Sequence, residues 1–405
     1  MKEKLTQKTS VPSDMTLIEE FMSECYQFRK NALSDKYEMR EVSEPTGDDN
    51  NPSQPHWRPV TREGINSIMR RIRRELGEDE ASKSAVEEYI YSEETPSYDP
   101  IAEYFDYLPI WDGKDRAKEL FERLPGVNEE QVARLKVWAR STVAHWLQID
   151  TLHGNEQVLT LIGPQGCGKS TFCARLLPPE LRTYYLDYVN LGNKFDKEMA
   201  LTNNLLVNLD ELDQIKLGKQ PELKQMLSKI KVNGRPIYGR SQSDRKRYAS
   251  FTATTNNPRP LSDPTGSRRY LCVEIPRDSI ICNDRPIEYE QLYAQLKYEV
   301  MEQHLPYWFT LDEVRRIEQL NQKFQHADDL ESMIESLFRH PMAQESVTPM
   351  LVSDVVQYLV KAYPDLHPSR GMTIKVGRVL KMLQFEKKDL ATGSAYYLVP
   401  IDTAV

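Results

Sequence analysis

Val158-Leu159-Thr160-Leu161-Ile162-Gly163-Pro164-Gln165-Gly166-Cys167-Gly168-Lys169-Ser170-Thr171 decides the fold of this chain. The first five residues are apolar or β-branched and read as a buried parallel strand. Gly163 to Ser170 matches G-x-x-x-x-G-K-[ST], the phosphate-binding loop. Thr171-Phe172-Cys173-Ala174-Arg175-Leu176-Leu177 continues as a helical pattern, stopped by Pro178-Pro179. Strand, glycine loop and helix together are what the chemistry needs. Glycines let the backbone of Gly163, Pro164, Gln165, Gly166, Cys167 and Gly168 curl around a phosphate, with N–H groups from every residue except Pro164, which has none. Lys169 then reaches the β- and γ-phosphates, and the Ser170 hydroxyl, followed by Thr171, suits Mg²⁺. ATP and Mg²⁺ are the expected cofactors.

Downstream, Leu205-Leu206-Val207-Asn208-Leu209-Asp210-Glu211 is an apolar strand ending in two acids. Asp210 suits the grip on Mg²⁺ and Glu211 the polarising of an attacking water, though the two can exchange roles. Phe251-Thr252-Ala253-Thr254-Thr255-Asn256 is a β-branched strand ending in an amide. Placed beside the acidic strand, it brings Asn256 to the γ-phosphate as a sensor, with Asn257 as the alternative. In Thr265-Gly266-Ser267-Arg268-Arg269-Tyr270, one arginine after a tight turn suits a finger into a neighbouring subunit's nucleotide. The sequence does not choose between Arg268 and Arg269.

The chain has 405 residues, a net charge of −8 and a mean hydropathy of −0.62. That allows several domains with a polar surface. No apolar run is long enough to span a bilayer, no signal-peptide core follows Met1, and a cytoplasmic location with no membrane partner is expected. The five cysteines have no metal or disulfide spacing and read as reduced and mostly buried. Against the acidic total stand two basic clusters. Lys229 to Arg247 holds seven basic residues against Asp244 alone, and Lys375 to Lys388 holds five against Glu386 alone.

Residues 1–56 read as a helical segment and linker, 57–150 as a helical domain, 151–280 as the nucleotide-binding core, 281–340 as a helical linker and 341–405 as winged-helix-like. In the last, two helices precede a hairpin, and Lys375, Arg378 and Lys381 recur every third residue along the second helix. On the helix containing Ile65, Ile68, Met69 and Ile72, the arginines 70, 71, 73 and 74 read more readily as a solvated face than as a nucleic-acid surface.

The order Gly-Pro-Gln-Gly-x-Gly-Lys-Ser, strand-Asp-Glu-Leu, Thr-Thr-Asn and Thr-Gly-Ser-Arg-Arg resembles the virulence-associated E family of phage and mobile-element proteins. Trp111-Asp112-Gly113-Lys114-Asp115-Arg116 matches that family's element upstream of the glycine loop. The resemblance covers residues 100–276. It implies a P-loop AAA+ core of α/β class with a parallel sheet, similar to superfamily-three helicases, and a homo-oligomeric, hexameric ring. It also implies a pore hairpin between the acidic and sensor strands. Lys229, Lys231, Arg235 and Arg240 occupy that slot, with Asn233-Gly234 as its turn. Single-stranded or forked DNA is then the expected partner, and ATP-driven unwinding the expected activity. An ATP-gated DNA-binding regulator and a nucleic-acid-sensing defence ATPase are the alternatives.

Overall fold

The computed structural model describes residues 14–42, 57–77, 82–150, 153–215, 219–234, 243–261, 267–325, 329–342, 345–363, 366–391 and 393–401. These fall into two compact units. The first holds residues up to Pro258 together with Thr265–Asn321, and the second holds Arg259–Pro264 and Gln322–Val405.

The centre of the first unit is a five-stranded parallel sheet. In chain order its strands are β1 (Val158–Ile162), β2 (Tyr185–Leu186), β3 (Leu206–Leu209), β6 (Ser250–Thr255) and β7 (Tyr270–Glu274). Between β3 and β6 lie β4 (Lys231–Gly234) and β5 (Ser243–Lys246), which pair only with each other, antiparallel. The spatial order in the sheet is β7-β1-β6-β3-β2. Every residue of β1, β3 and β6 is buried. Strands covered on both faces carry apolar or β-branched runs; β1 does so throughout, while β3 and β6 each bury one small polar exception, Asn208 and Ser250.

Helices surround the sheet, some packed on it and others on one another or on the β4 strand. They are α1 (Glu129–Trp146), α2 (Lys169–Ala174), α3 (Lys194–Asn203), α4 (Gln220–Ser228), α5 (Tyr289–Met301) and α6 (Leu311–Asn321). Helix α1 begins with a reciprocal capping box of Asn128 and Gln131. Its Trp138, Val143 and Trp146 join Leu159, Leu161, Phe172, Leu206, Leu292 and Leu296 in one buried cluster.

The Trp-Asp-Gly-Lys-Asp-Arg element is a packed turn. Trp111 Nε1 donates to Lys114 O at 2.8 Å, and Asp115 accepts from Lys118 N at 3.0 Å to cap a short helix. Arg116 reaches Asp112 at 3.0 Å and Glu288 at 2.7 Å. The element therefore fastens the chain before α1 to the start of α5.

The N-terminal region differs from the helical expectation. After the helix Asp14–Cys25, Tyr26–Asn31 and Lys36–Glu41 form an antiparallel hairpin. Short strands at Arg58–Pro59 and Ser97–Tyr98 extend it to a four-stranded sheet. Tyr26 and Phe28 are buried and Gln27 between them is exposed, the period of two that a strand requires. A helical reading fitted the apolar residues but not this alternation. One buried cluster, from Ile18 to Ile90, runs through both segments.

In the second unit, helices Val352–Ala362 and Arg370–Met382 precede a hairpin of Lys387–Leu390 with Gly393–Tyr396. Val355, Leu359, Val376, Leu380 and Tyr396 close its core. None of the five cysteines forms a disulfide, but only Cys167 and Cys173 are buried, against an expectation of mostly buried; Cys282 is exposed. Burial pushes the Cys173 thiol up to about 12, so it stays a neutral packing group. No helix among the described residues is long and apolar enough to cross a membrane.

Phe251 is fully buried in the strand between β1 and β3. Phe251→Ala is expected to cost about 3–5 kcal/mol, read as a lower urea midpoint. A loss under about 1 kcal/mol would remove this strand from the core.

Candidate nucleotide site

The loop between β1 and α2 is built from its glycines. Gly166 and Gly168 sit at φ of 80° and 89°, where a side chain is strained. A Cβ at Gly168 would lie 2.5 Å from Asn283 Nδ2, and one at Gly163 would lie 2.8 Å from the Ile275 Cβ. Asn283 Nδ2 donates to Gly168 O at 2.9 Å, and Ile281 N to Cys167 O at 3.0 Å. The segment after β7 thus holds the loop open from one side. Gln165, Gly166, Ser170 and Thr171 are exposed, whereas Cys167 is buried beneath the loop.

Lys169 is buried, and its ammonium points back into the loop. It donates to Gly163 O and Pro164 O, both at 2.8 Å, and to Asn256 Oδ1 at 2.9 Å. An ammonium has three protons, and here each has an oxygen. Asn256 lies at the end of β6, 87 residues away in sequence.

Strand order explains this meeting. β6 lies between β1 and β3, with Thr255 opposite Ile162 and Ala253 opposite Leu209. The residue after Ile162 opens the glycine loop, and the residue after Leu209 is Asp210. Both chemistries therefore emerge at the same carboxyl edge, with β6 between them. Thr254 Oγ1 donates to the Asp210 carboxylate in a very short contact, and Thr255 Oγ1 to Asp213 Oδ1 at 2.5 Å. Asp210 and Glu211 are both exposed at that edge. Glu211 has φ 51°, a left-handed conformation uncommon for a residue with a side chain. Of the two amides, Asn256 meets Lys169, while the Asn257 backbone N–H closes on Thr255 Oγ1 at 3.0 Å.

The two arginines part company. Arg268 is exposed. Arg269 is buried, donates to Ser228 Oγ at 3.1 Å and faces Glu156 at 3.5 Å.

The basic stretch is partly spent inside the molecule. A hairpin forms between β4 and β5, but Asn233 and Gly234 are not its turn: they pair in the strand with Asp244 and Ser243. The strands run two residues further than the Asn-Gly signal implied, because Asn233 donates its amide to the Asp244 carboxylate across the ladder. Lys231 is ion-paired with Asp244, Arg245 reaches Glu198 at 3.0 Å, and Arg247 is 2% exposed. Lys229 is half-buried and Lys246 exposed. Arg235 and Arg240 lie outside the described residues. In the second unit Lys375, Arg378 and Lys381 are all exposed on one helix.

Sequence reading missed Thr254, Asp213 and Asn283. The threonines lay in a strand read only for its β-branching, and nothing local marks an asparagine that meets the loop 115 residues away.

A family model, the virulence-associated protein E-like domain, matches residues 106–326. The chain belongs to this family. The matched range takes in the glycine loop, the acidic strand, the sensor strand and the Ser-Arg-Arg turn. No curated protein matches the chain. Among solved structures it is similar to the A form apo structure of the NrS-1 C terminal region, at 11% identity and a TM-score of 0.44, covering 96% of this chain and 100% of that one. A further apo structure of the NrS-1 C terminal region aligns at 10% identity and a TM-score of 0.44, with the same coverage.

Gly168→Ala combines a forbidden φ with a clash, while Gly166 has nothing within 4 Å of an added Cβ. Nucleotide affinity by titration calorimetry is expected to fall by about tenfold more in Gly168→Ala than in Gly166→Ala. Equal losses would mean that the Asn283 contact does not shape the loop.

Proposed function

We propose that the chain is a Mg²⁺- and ATP-dependent AAA+ nucleoside triphosphatase of superfamily-three type, working as a DNA helicase or translocase in replication of a phage or mobile element. The observation that carries the reading is the insertion of β6 between the glycine-loop strand and the acidic strand. It gives one sheet edge an ammonium, an amide, a hydroxyl-held carboxylate and a second carboxylate. Family membership supports the same conclusion.

The residues fit a nucleotide. Gly163 and Gly168 let Ile275 and Asn283 approach the loop closer than a Cβ would allow, Gly166 leaves open space on its outer side, and the exposed backbone of Gln165 and Gly166 would offer N–H groups to phosphate oxygens. Ser170 and Asp210 would hold Mg²⁺, which supplies charge neutralisation at the phosphates. Lys169 would exchange its carbonyl partners for phosphate oxygens, an exchange favoured because an ionic acceptor binds an ammonium more strongly than a neutral one. Asn256, released or shared, would orient the attacking water. Glu211, exposed at the same edge, would take that water's proton.

Arg268 is the finger this reading selects, because Arg269 is committed within its own subunit. A finger acting in trans implies a ring, which we take as hexameric. The β4–β5 hairpin and its loop would contact single-stranded DNA backbone by charge rather than base identity, through Lys229, Lys231, Arg235 and Arg240. The two helices and hairpin of the second unit would act as a winged helix, with Lys375, Arg378 and Lys381 facing duplex phosphate. The reading places the chain in the cytoplasm, with the nucleic acid it would act on.

Steady-state ATP hydrolysis with Mg²⁺, with and without single-stranded DNA, tests the reading. Lys169→Ala is expected to abolish binding and turnover. Glu211→Gln is expected to retain nucleotide binding and lose turnover by about 10²-fold or more. Arg268→Ala is expected to be inactive alone and partly rescued on mixing with Lys169→Ala, since each supplies what the other lacks. Hydrolysis indifferent to DNA would favour a nucleotide-gated DNA-binding regulator or a defence ATPase with another trigger.

A further inference from the structure

The base of the basic hairpin is held by two buried guanidinium groups. Arg247, the residue after β5, donates from Nη1 to Leu227 O at 2.6 Å and Lys229 O at 2.5 Å. Its Nη2 donates to Asn155 O at 2.8 Å, and its Nε to Ala249 O at 3.0 Å. These carbonyls belong to the chain entering β4, the chain entering β1 and the chain entering β6. Gly154 makes room for this, since a Cβ there would sit 2.7 Å from Arg247 Nη1 and 2.8 Å from Lys229 O. Arg269 adds the fourth segment. It reaches Ser228, between two of Arg247's acceptors, and Glu156, next to a third. The turn carrying Arg269 is pinned from behind, where buried Asn321 Nδ2 donates to Ser267 O at 2.6 Å and Tyr270 O at 2.7 Å.

A buried cation ringed by carbonyls exists only while every acceptor stays in place, because each lost bond leaves a charge without water. The hairpin base, the strand feeding the glycine loop and the Ser267–Arg269 turn therefore move as one body or exchange between two arrangements as one.

We propose that Arg269 is a positioning residue, and that the Ser228–Arg269 bond with the Arg247 hub couples occupancy of the hairpin by single-stranded nucleic acid to the placement of Arg268. This rests on the function proposed above and assigns that site its regulation. It also divides labour between the paired arginines: Arg268 faces outward, and Arg269 reports the state of the hairpin.

The test measures ATP hydrolysis with and without a thymidine oligonucleotide, and oligonucleotide affinity by fluorescence anisotropy, for wild type, Ser228→Ala, Arg269→Ala, Arg269→Lys and Gly154→Ala. Ser228→Ala removes one hydroxyl from a half-buried position and should fold normally. It is expected to keep basal hydrolysis and oligonucleotide affinity within about twofold while DNA stimulation falls about fivefold, the effect of one hydrogen bond. Arg269→Lys should retain more stimulation than Arg269→Ala, and Gly154→Ala, which crowds Arg247 and the Lys229 carbonyl, should lose at least as much stimulation as Ser228→Ala. If Arg269→Ala does not fold, Ser228→Ala decides alone. Wild-type stimulation in Ser228→Ala would overturn the coupling and leave the motor reading standing, as would a basal loss as large as the stimulated one. A wild-type protein that DNA does not stimulate would overturn both.

Discussion

Everything at the candidate site depends on one six-residue strand. Ser250–Thr255 hydrogen-bonds on one side to the strand that ends in the glycine loop and on the other to the strand that ends in Asp210. Parallel strands deliver their carboxyl ends to one edge, and loops at that edge collect ligands. With β6 in the middle, its last residues face both chemistries at once. Asn256 meets Lys169, and Thr254 meets Asp210. Had the acidic strand paired directly with β1, these two contacts would have no scaffold.

Around that edge the molecule spends cations internally. Arg116, Arg140, Arg247 and Arg269 are buried, and each is answered by carboxylates, carbonyls or a hydroxyl. For Arg247, burial is costly enough to draw its guanidinium down to about 10. A protonated group this enclosed holds its neighbours in register, since moving any of four carbonyls strands a charge. Lys229, Lys246 and Arg268, by contrast, remain near water, and the charge available to an outside partner comes from such residues.

Charge counting along the chain could not make that separation. Seven basic residues between Lys229 and Arg247 read as one patch, yet Lys231 and Arg245 are paired with Asp244 and Glu198, and Arg247 is a core residue. The Asn233-Gly234 dipeptide misled for a related reason. It favours a turn locally, but the cross-strand amide–carboxylate contact with Asp244 carries it into the ladder. In the N-terminal region the apolar residues were legible, and their period was not. Tyr26-Gln27-Phe28 alternates for too few residues to outweigh the helix that precedes it.

By itself the sequence determined the α/β class of the fold and the residue types at the strand ends. An apolar strand into a glycine loop, an apolar strand into two acids and a β-branched strand into an amide each carry a local physical signature, so each was readable where it stood. The structure alone decided strand order, and strand order decided which of those ends meet. It also decided which of two adjacent arginines is committed, because Ser228 and Glu156 lie far from Arg269 in sequence and beside it in space. Adjacent residues share every local propensity, and only the surrounding packing can bury one and expose the other.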